Sequence, residues 1–393
     1  MRPLLSSFLI VLTGVLVPSA WAQTNDHFYR SWRWEEDIGS ARVAGFSGAF
    51  VGLADDVSAV IWNPAGLSTL DPHKVEVTGN MLRRGSGTLG PGDTVLRDTG
   101  IGLLSAARRF GKSWAFGVHF GEPRDMRFEM APYRLADGSQ DRGYVDASVR
   151  TFGIAGAYSP SSRLHLGAGV QASRLYLDGL DDTLFRRADT VQTTTYAEDT
   201  SLSATVGALY LVTNDLRVGA AYRKGAEWNA DRFAFISAAG IVLDPGSSYE
   251  VRAPDLLSAG VSFRPMAQLL ISGPLDYVFY SQIHGNMEVR QGAFDAAEYE
   301  LDNGLEPRLG AEWSQGIKGA VLLVRGGIHS QAPGSLAYVG RDPVEQGTFV
   351  GSSRRLLGSA GFSLVAPHSI ALDVGTVFGG DRTVFSVGGR MRF

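Results

Sequence analysis

Ser113-Trp114-Ala115-Phe116-Gly117-Val118-His119-Phe120 alternates strictly, with Trp, Phe, Val and Phe on one face and Ser, Ala, Gly and His on the other. Period two is the signature of a strand whose two faces meet different surroundings. The same rule holds from Ile370 to Phe378, where Ile370, Leu372, Val374, Thr376 and Phe378 alternate with positions that include Asp373 and Gly375. It returns at the end of the chain, with Phe385, Val387, Met391 and Phe393 opposed to Ser386, Gly388, Arg390 and Arg392. An apolar face backed by a small or charged one fits a wall with lipid outside and a polar lumen inside; a water-soluble barrel reverses that order.

Working outward, the alternation places strands near 74–83, 98–108, 113–122, 145–158, 163–178, 200–212 and 216–228. It places the rest near 250–263, 268–283, 305–314, 319–329, 356–365, 369–378 and 382–393. The expectation is an all-β transmembrane barrel of about fourteen antiparallel strands over 74–393. Connections alternate between tight turns, such as 109–112 and 213–215, and long segments near 84–97, 123–144, 179–199, 229–249, 284–304 and 330–355. Outer-membrane barrels have this asymmetry, with short turns on the periplasmic rim. A soluble β-sandwich has no reason to alternate its loops so regularly.

Composition agrees. The 393 residues include 49 Gly, 20 Phe, 13 Tyr and 7 Trp, carry a net charge of −4 and contain no Cys. No thiolate metal site, cysteine nucleophile or disulfide can form, and there is no basic excess for nucleic acid. Arg2, the apolar run Leu4 to Val17 and Ala20-Trp21-Ala22 read as a secretory signal peptide over residues 1–22. No later apolar run reaches the roughly 20 residues that a spanning helix needs. A membrane-embedded chain must then close its strands into a ring, because lipid offers no partner to an open sheet edge.

Residues 23–73 follow a different pattern. They contain Gly39-Ser40-Ala41-Arg42-Val43-Ala44-Gly45-Phe46-Ser47-Gly48, then Ala54-Asp55-Asp56, then Asn63-Pro64-Ala65-Gly66-Leu67. This resembles the N-terminal signature of the FadL/TodX family, outer-membrane transporters of long-chain fatty acids and aromatic hydrocarbons; Arg42, Gly45, Gly48, Ala54, Asp55, Asp56, Asn63, Pro64 and Ala65 match it. Weaker likeness continues through Ser258 to Pro265 and Arg308 to Trp313.

The resemblance implies a hatch formed by residues 23–73 inside the lumen of a Gram-negative outer-membrane barrel. It implies passive uptake of hydrophobic small molecules, with no cofactor, by a monomer. Asn63 can hold a turn through its side chain while Pro64 fixes φ. Asp55 and Asp56 can pair with inward arginines such as Arg308, Arg325 or Arg390, or cap a short helix from Val57. The aromatic stretch Gln23 to Ile38 departs from the family pattern; it either lines the lumen or reaches the periplasm.

Three further expectations follow. The segment 229–249 is apolar for an exposed loop, with Phe233, Phe235, Ile236, Ile241 and Leu243. Such patches mark interaction sites, and the family captures ligand on its third and fourth long loops. In the third strand, Gly117, Gly121 and Pro123 combine flexibility with a residue that cannot donate to a ladder, and the family has a lateral opening at that strand. Phe393 resembles the C-terminal signal read by barrel-insertion machinery, and the outer face meets outer-membrane lipid.

No enzyme or metal motif is present. Gly45-Phe46-Ser47-Gly48 lacks the spacing of a nucleophile elbow, and Gly167-Ala168-Gly169 sits within an alternating strand. His119, His165 and His329 are read as lumen lining. Two other roles stand beside transport: an accessory or docking protein in protein export, and a structural or adhesive surface protein.

Overall fold

The computed structural model describes residues 39–86, 94–134, 140–184, 190–236, 241–284, 298–341, 346, 351–367, 370–380 and 382–393. The signal-peptide segment and the stretch Gln23 to Ile38 lie outside them. The first described residues, 39–70, form short helical pieces: α1 (Ala41–Gly45), α2 (Ala59–Trp62) and a 3-10 turn (Pro64–Thr69). Eighteen strands follow among the described residues. Through the first long hairpins they are β1 (Val75–Ser86), β2 (Thr94–Phe110), β3 (Trp114–Arg134), β4 (Gln140–Tyr158), β5 (Leu164–Leu184) and β6 (Thr190–Leu211). Next come β7 (Leu216–Arg223), β8 (Glu227–Ile236), β9 (Ile241–Arg252), β10 (Leu256–Met266) and β11 (Leu269–Val278). After α3 (Ser281–His284) the chain forms β12 (Tyr299–Glu300), β13 (Gly304–Ile317), β14 (Ala320–Gln331) and β15 (Ala337–Tyr338). The last three are β16 (Arg355–Ala366), β17 (Ile370–Gly379) and β18 (Arg382–Arg392).

Fourteen of these close into an antiparallel barrel. Consecutive ring strands pair, β7 meets β10, and the ring closes where β1 pairs with β18. At that seam Val75 and Phe393 exchange both backbone hydrogen bonds, at 2.8 and 3.1 Å. Closure leaves the ring no unpaired edge, as lipid demands.

The faces are those the alternation requires. Trp114 and Phe116 are 52% and 54% exposed, while their neighbours Ala115 and His119 are 0% and 4%. The lumen is not empty. Val43, Phe46, Phe50, Val57, Val60, Ile61 and Leu67 of the luminal segment pack against wall residues such as Leu103, Ala107, Ala115 and Ala157. An apolar core inside a polar-lined barrel is built by importing a segment whose hydrophobic side chains point outward toward small wall residues.

Two corrections to the expected layout concern the long segments. The described residues of those near 84–97, 123–144 and 179–199 are strand, because β2 to β6 run 17 to 22 residues. Above the membrane both faces of a strand meet water or protein, so the apolar–polar alternation stops before the hydrogen bonding does. The segment 229–249, expected as a loop, is mostly the β8–β9 hairpin. The chain turns away at Lys224-Gly225-Ala226, β8 takes over β6 from β7, and Thr195 pairs with Arg232. Ala253-Pro254-Asp255 then returns it to the ring.

Candidate functional site

A buried ionic centre ties the luminal segment to the wall. Ser40 caps α1 by accepting from the Val43 N–H, which sets Arg42 on the first turn facing its own chain and the wall. Arg42 Nη1 lies 2.6 Å from Asp55 Oδ1 and 2.7 Å from Asp56 Oδ2. Its Nε and Nη2 grip Glu312 of β13 at 3.1 and 3.2 Å. Arg325 of β14 donates to the same Glu312 at 2.9 Å and to Ser363 Oγ at 2.7 Å, and Ser363 in turn donates to Asp373. Arg390 of β18 approaches Asp56 at 3.5 Å.

Glu76 accepts from the Val57 N–H at 3.0 Å and from Arg392 Nε at 2.6 Å. A charge removed from water is tolerated only when paired and fully bonded. Burial alone would raise the Asp56 carboxyl, but Arg42 and Arg390, with the Ser58 N–H, hold it down at about 2. The surrounding carboxylates, against the cost of burial, keep Arg42 well above its ordinary value.

The matching motif residues divide by role. Asp56 pairs with Arg42 and, of the wall arginines expected for it, with Arg390. Its Oδ1 accepts from Ser58 N–H at 2.9 Å in a turn, but the helix starts at Ala59 with Ser58 as its N-cap, so Asp56 does not cap a helix from Val57. Arg308 and Arg325 are engaged elsewhere, Arg308 with Asp276 at 2.6 Å and with the Ser47 carbonyl at 3.2 Å. Asn63 accepts from the Ala65 N–H at 3.3 Å, opening the 3-10 turn with Pro64 at its start. It also donates to the Val51 carbonyl at 2.9 Å and to the Ala208 carbonyl of β6 at 3.1 Å, so it joins the turn to the wall.

Glycines let the two backbones touch. A Cβ on Gly52 would lie 2.6 Å from the Gly260 carbonyl, and one on Gly45 would lie 3.0 Å from Gly361. Gly48 has φ +68° and sits against Arg308. Gly117 faces the same packing, with Val60 Cγ2 3.3 Å from where its Cβ would stand. Wall serines finish the seating: Ser262 donates to the Gly52 carbonyl at 3.0 Å and Ser359 to the Gly45 carbonyl at 3.1 Å. Beside α1 lies a cavity of about 40 Å³ edged by Ser40, Val43, Leu82, Arg308, His329 and Leu357. That is room for a few waters.

Among the described residues the wall ladder is interrupted between β2 and β3, as it also is between β11 and β13 and where β6 passes from β7 to β8. The β2–β3 ladder runs from Phe110↔Trp114 to Leu104↔Phe120 and resumes only at Asp98↔Met126. The register is the same on both sides of the break, so residues 99–103 and 121–125 face each other without ladder bonds. Each strand bulges on its other side, β2 after Asn80↔Leu103 and β3 after Gly121↔Thr151. Gly121 and Pro123 sit in this break: a Cβ on Gly121 would point at the Gly102 and Ile101 carbonyls, 3.2 and 3.8 Å away.

Side chains span the break. Glu122 accepts from the Ile101 N–H at 3.4 Å and from Arg150 Nε at 3.2 Å. From the lumen, Arg84 donates to the Pro123 carbonyl.

The residues expected to capture ligand lie on the hairpin, Phe233, Phe235 and Ile236 on β8 and Ile241 and Leu243 on β9, with Ile236 opposite Ile241. Glu76, Glu122 and Glu312 escape the sequence reading. Their signal was a carboxylate at an inward or interrupted strand position, which marks a partner without naming it.

Comparison with known proteins agrees with this architecture. No curated protein matches the chain in sequence. Among solved structures, the Ralstonia pickettii toluene transporter TbuX is similar with a TM-score of 0.65 at 14% identity, over 91% of this chain and 99% of that one. A Pseudomonas aeruginosa FadL homologue gives 0.62 at 15%, over 90% and 97%. The CymD monoaromatic hydrocarbon channel gives 0.59 at 15%, over 91% and 98%. The family model described as outer membrane protein transport protein (OMPP1/FadL/TodX) matches residues 38–290, and the chain belongs to that family of outer-membrane barrels.

Proposed function

We propose that this barrel is a passive transporter of hydrophobic compounds, of the size of long-chain fatty acids or small aromatic hydrocarbons. In this reading the β8–β9 hairpin captures the compound and residues 39–70 act as a hatch. The compound leaves sideways through the β2–β3 break. The observation that carries the proposal is the pairing of a filled lumen with an interrupted wall. A compound that passed straight through the lumen would enter periplasmic water and lose about 0.8 kcal/mol for each buried CH₂. A lateral route delivers it to lipid instead.

Gly121→Trp tests the route, because a side chain at that position enters the break. Uptake of a fluorescent fatty acid and of toluene by cells should fall at least tenfold, with a heat-modifiable barrel at wild-type level. Undiminished uptake would show that the compounds leave elsewhere.

A further inference from the structure

The outer face of β3 to β6 changes character within one residue step. Phe120, Phe152, Ala172 and Leu202 stand side by side in register across the four strands, a row that lipid can wet. Phe152 and Leu202 are among the most exposed apolar residues of the molecule. The next outward row carries Arg150 directly opposite Arg174, with Thr200 beyond. The rows above hold Tyr176 beside Glu198, then Asp178 beside Tyr196. This line marks the outer boundary of the hydrocarbon on this side of the barrel, since charge on a lipid face is tolerated only near an interface.

Two cations directly opposite on one sheet face repel. Their acidic partners stand on the outer flanks and not between them. Arg150 reaches back to Glu122 through Nε, and Arg174 reaches forward to Glu198 through one Nη. Both guanidinium groups remain mostly exposed, at 65% and 61%. Among the described residues no other protein acceptor takes their remaining N–H groups. Tyr176 and Tyr196 stack edge to face just above, 6.2 Å between centroids, and Tyr196 is anchored to Glu198 at 2.7 Å.

We propose that this face binds the phosphorylated headgroup of an outer-leaflet glycolipid. Its acyl chains lie along Phe152, Val170 and Leu202. Its phosphate bridges Arg150 and Arg174, because guanidinium forks match phosphate oxygens. Its sugar rests on the Tyr176–Tyr196 pair. The phosphate supplies the negative charge that the opposed arginines lack, and the proposal holds whether or not the barrel transports anything.

The test uses the full-length protein in detergent with a bis-phosphorylated lipid A, its enzymatically dephosphorylated form, and inorganic phosphate, with bound lipid counted by native mass spectrometry. Arg150→Gln/Arg174→Gln should weaken lipid A binding about 30-fold, since each interfacial arginine is worth about fivefold. Dephosphorylation should weaken wild-type binding comparably. Glu198→Gln frees Arg174 and should tighten binding several-fold, a gain that misfolding cannot produce. Equal binding of wild type and the double variant would overturn the site, as would indifference to dephosphorylation. Displacement of lipid A by inorganic phosphate at matching concentration would overturn the lipid as its occupant.

Discussion

Arg42 is the residue on which the closed lumen most depends. Its guanidinium pairs with Asp55, Asp56 and Glu312 at once, and only Glu312 belongs to the wall. Arg42→Met would leave Asp56 with Arg390 alone, Glu312 with Arg325 alone and Asp55 without its ion-pair partner, a loss of up to about 3–5 kcal/mol for a broken buried pair. Planar-bilayer recordings should then show open-channel conductance absent from wild type, while the barrel still migrates as a heat-modifiable species. A silent variant would mean that the apolar packing of Val60, Ile61 and Trp62 holds the segment alone.

Asp56 adds a pH dependence with a definite sign. Its folded pKa, about 2, lies below the ordinary carboxyl value of about 4. The contribution is therefore complete above pH 4 and is lost as pH falls through 2. Wild-type conductance should stay closed from neutral pH to about 4 and rise only between about 4 and 2. Opening nearer pH 6 would point to a different group.

At the scale of elements, the wall strands carry glycine or serine where the luminal segment touches them. On β13 a Cβ at Gly310 would lie 2.8 Å from the Phe46 carbonyl, whereas one at Gly316 would meet nothing within 4 Å. Gly310→Val should unseat the segment and raise conductance, and Gly316→Val should leave it at the wild-type level. Equal effects would mean that strand propensity, and not contact, sets the response.

The β8–β9 hairpin carries its own prediction. Phe235→Ser with Ile241→Ser should lower affinity for a long-chain fluorescent fatty acid about a hundredfold or more, since burying each apolar side chain against the ligand contributes roughly 1.5–3 kcal/mol. Tryptophan-quenching titration would read it, and unchanged affinity would leave the hairpin a packing role. These elements were readable to different depths. The lipid-spanning parts of β3, β17 and β18 were legible because lipid and lumen impose opposite demands on neighbouring residues. The hairpin was not, because nothing in Asn229 to Ser248 alternates in a way that separates strand from apolar loop.

For the whole molecule, the seam from Val75 to Phe393 and the tight turns share one rim, and the long strands share the other. A cysteine replacing Asn303, beyond α3, should react with a membrane-impermeant maleimide on intact cells, and one replacing Asn214 should not. The chain has no native cysteine to confuse the readout. Labelling of Asn214 alone would invert the orientation.

What the sequence determined by itself was the barrel, its approximate strand count, its lipid face and the family, because those follow from local periodicity and a contiguous motif. Tertiary structure alone decided how the parts lock. Arg42 meets Glu312 across 270 positions, Asn63 meets Ala208 across 145, and the β2–β3 break exists only when two ladders are compared. Pairings of that range depend on strand register and on how a compact segment sits within a closed ring. A single strand's alternation records which face a residue occupies and never which residue stands opposite.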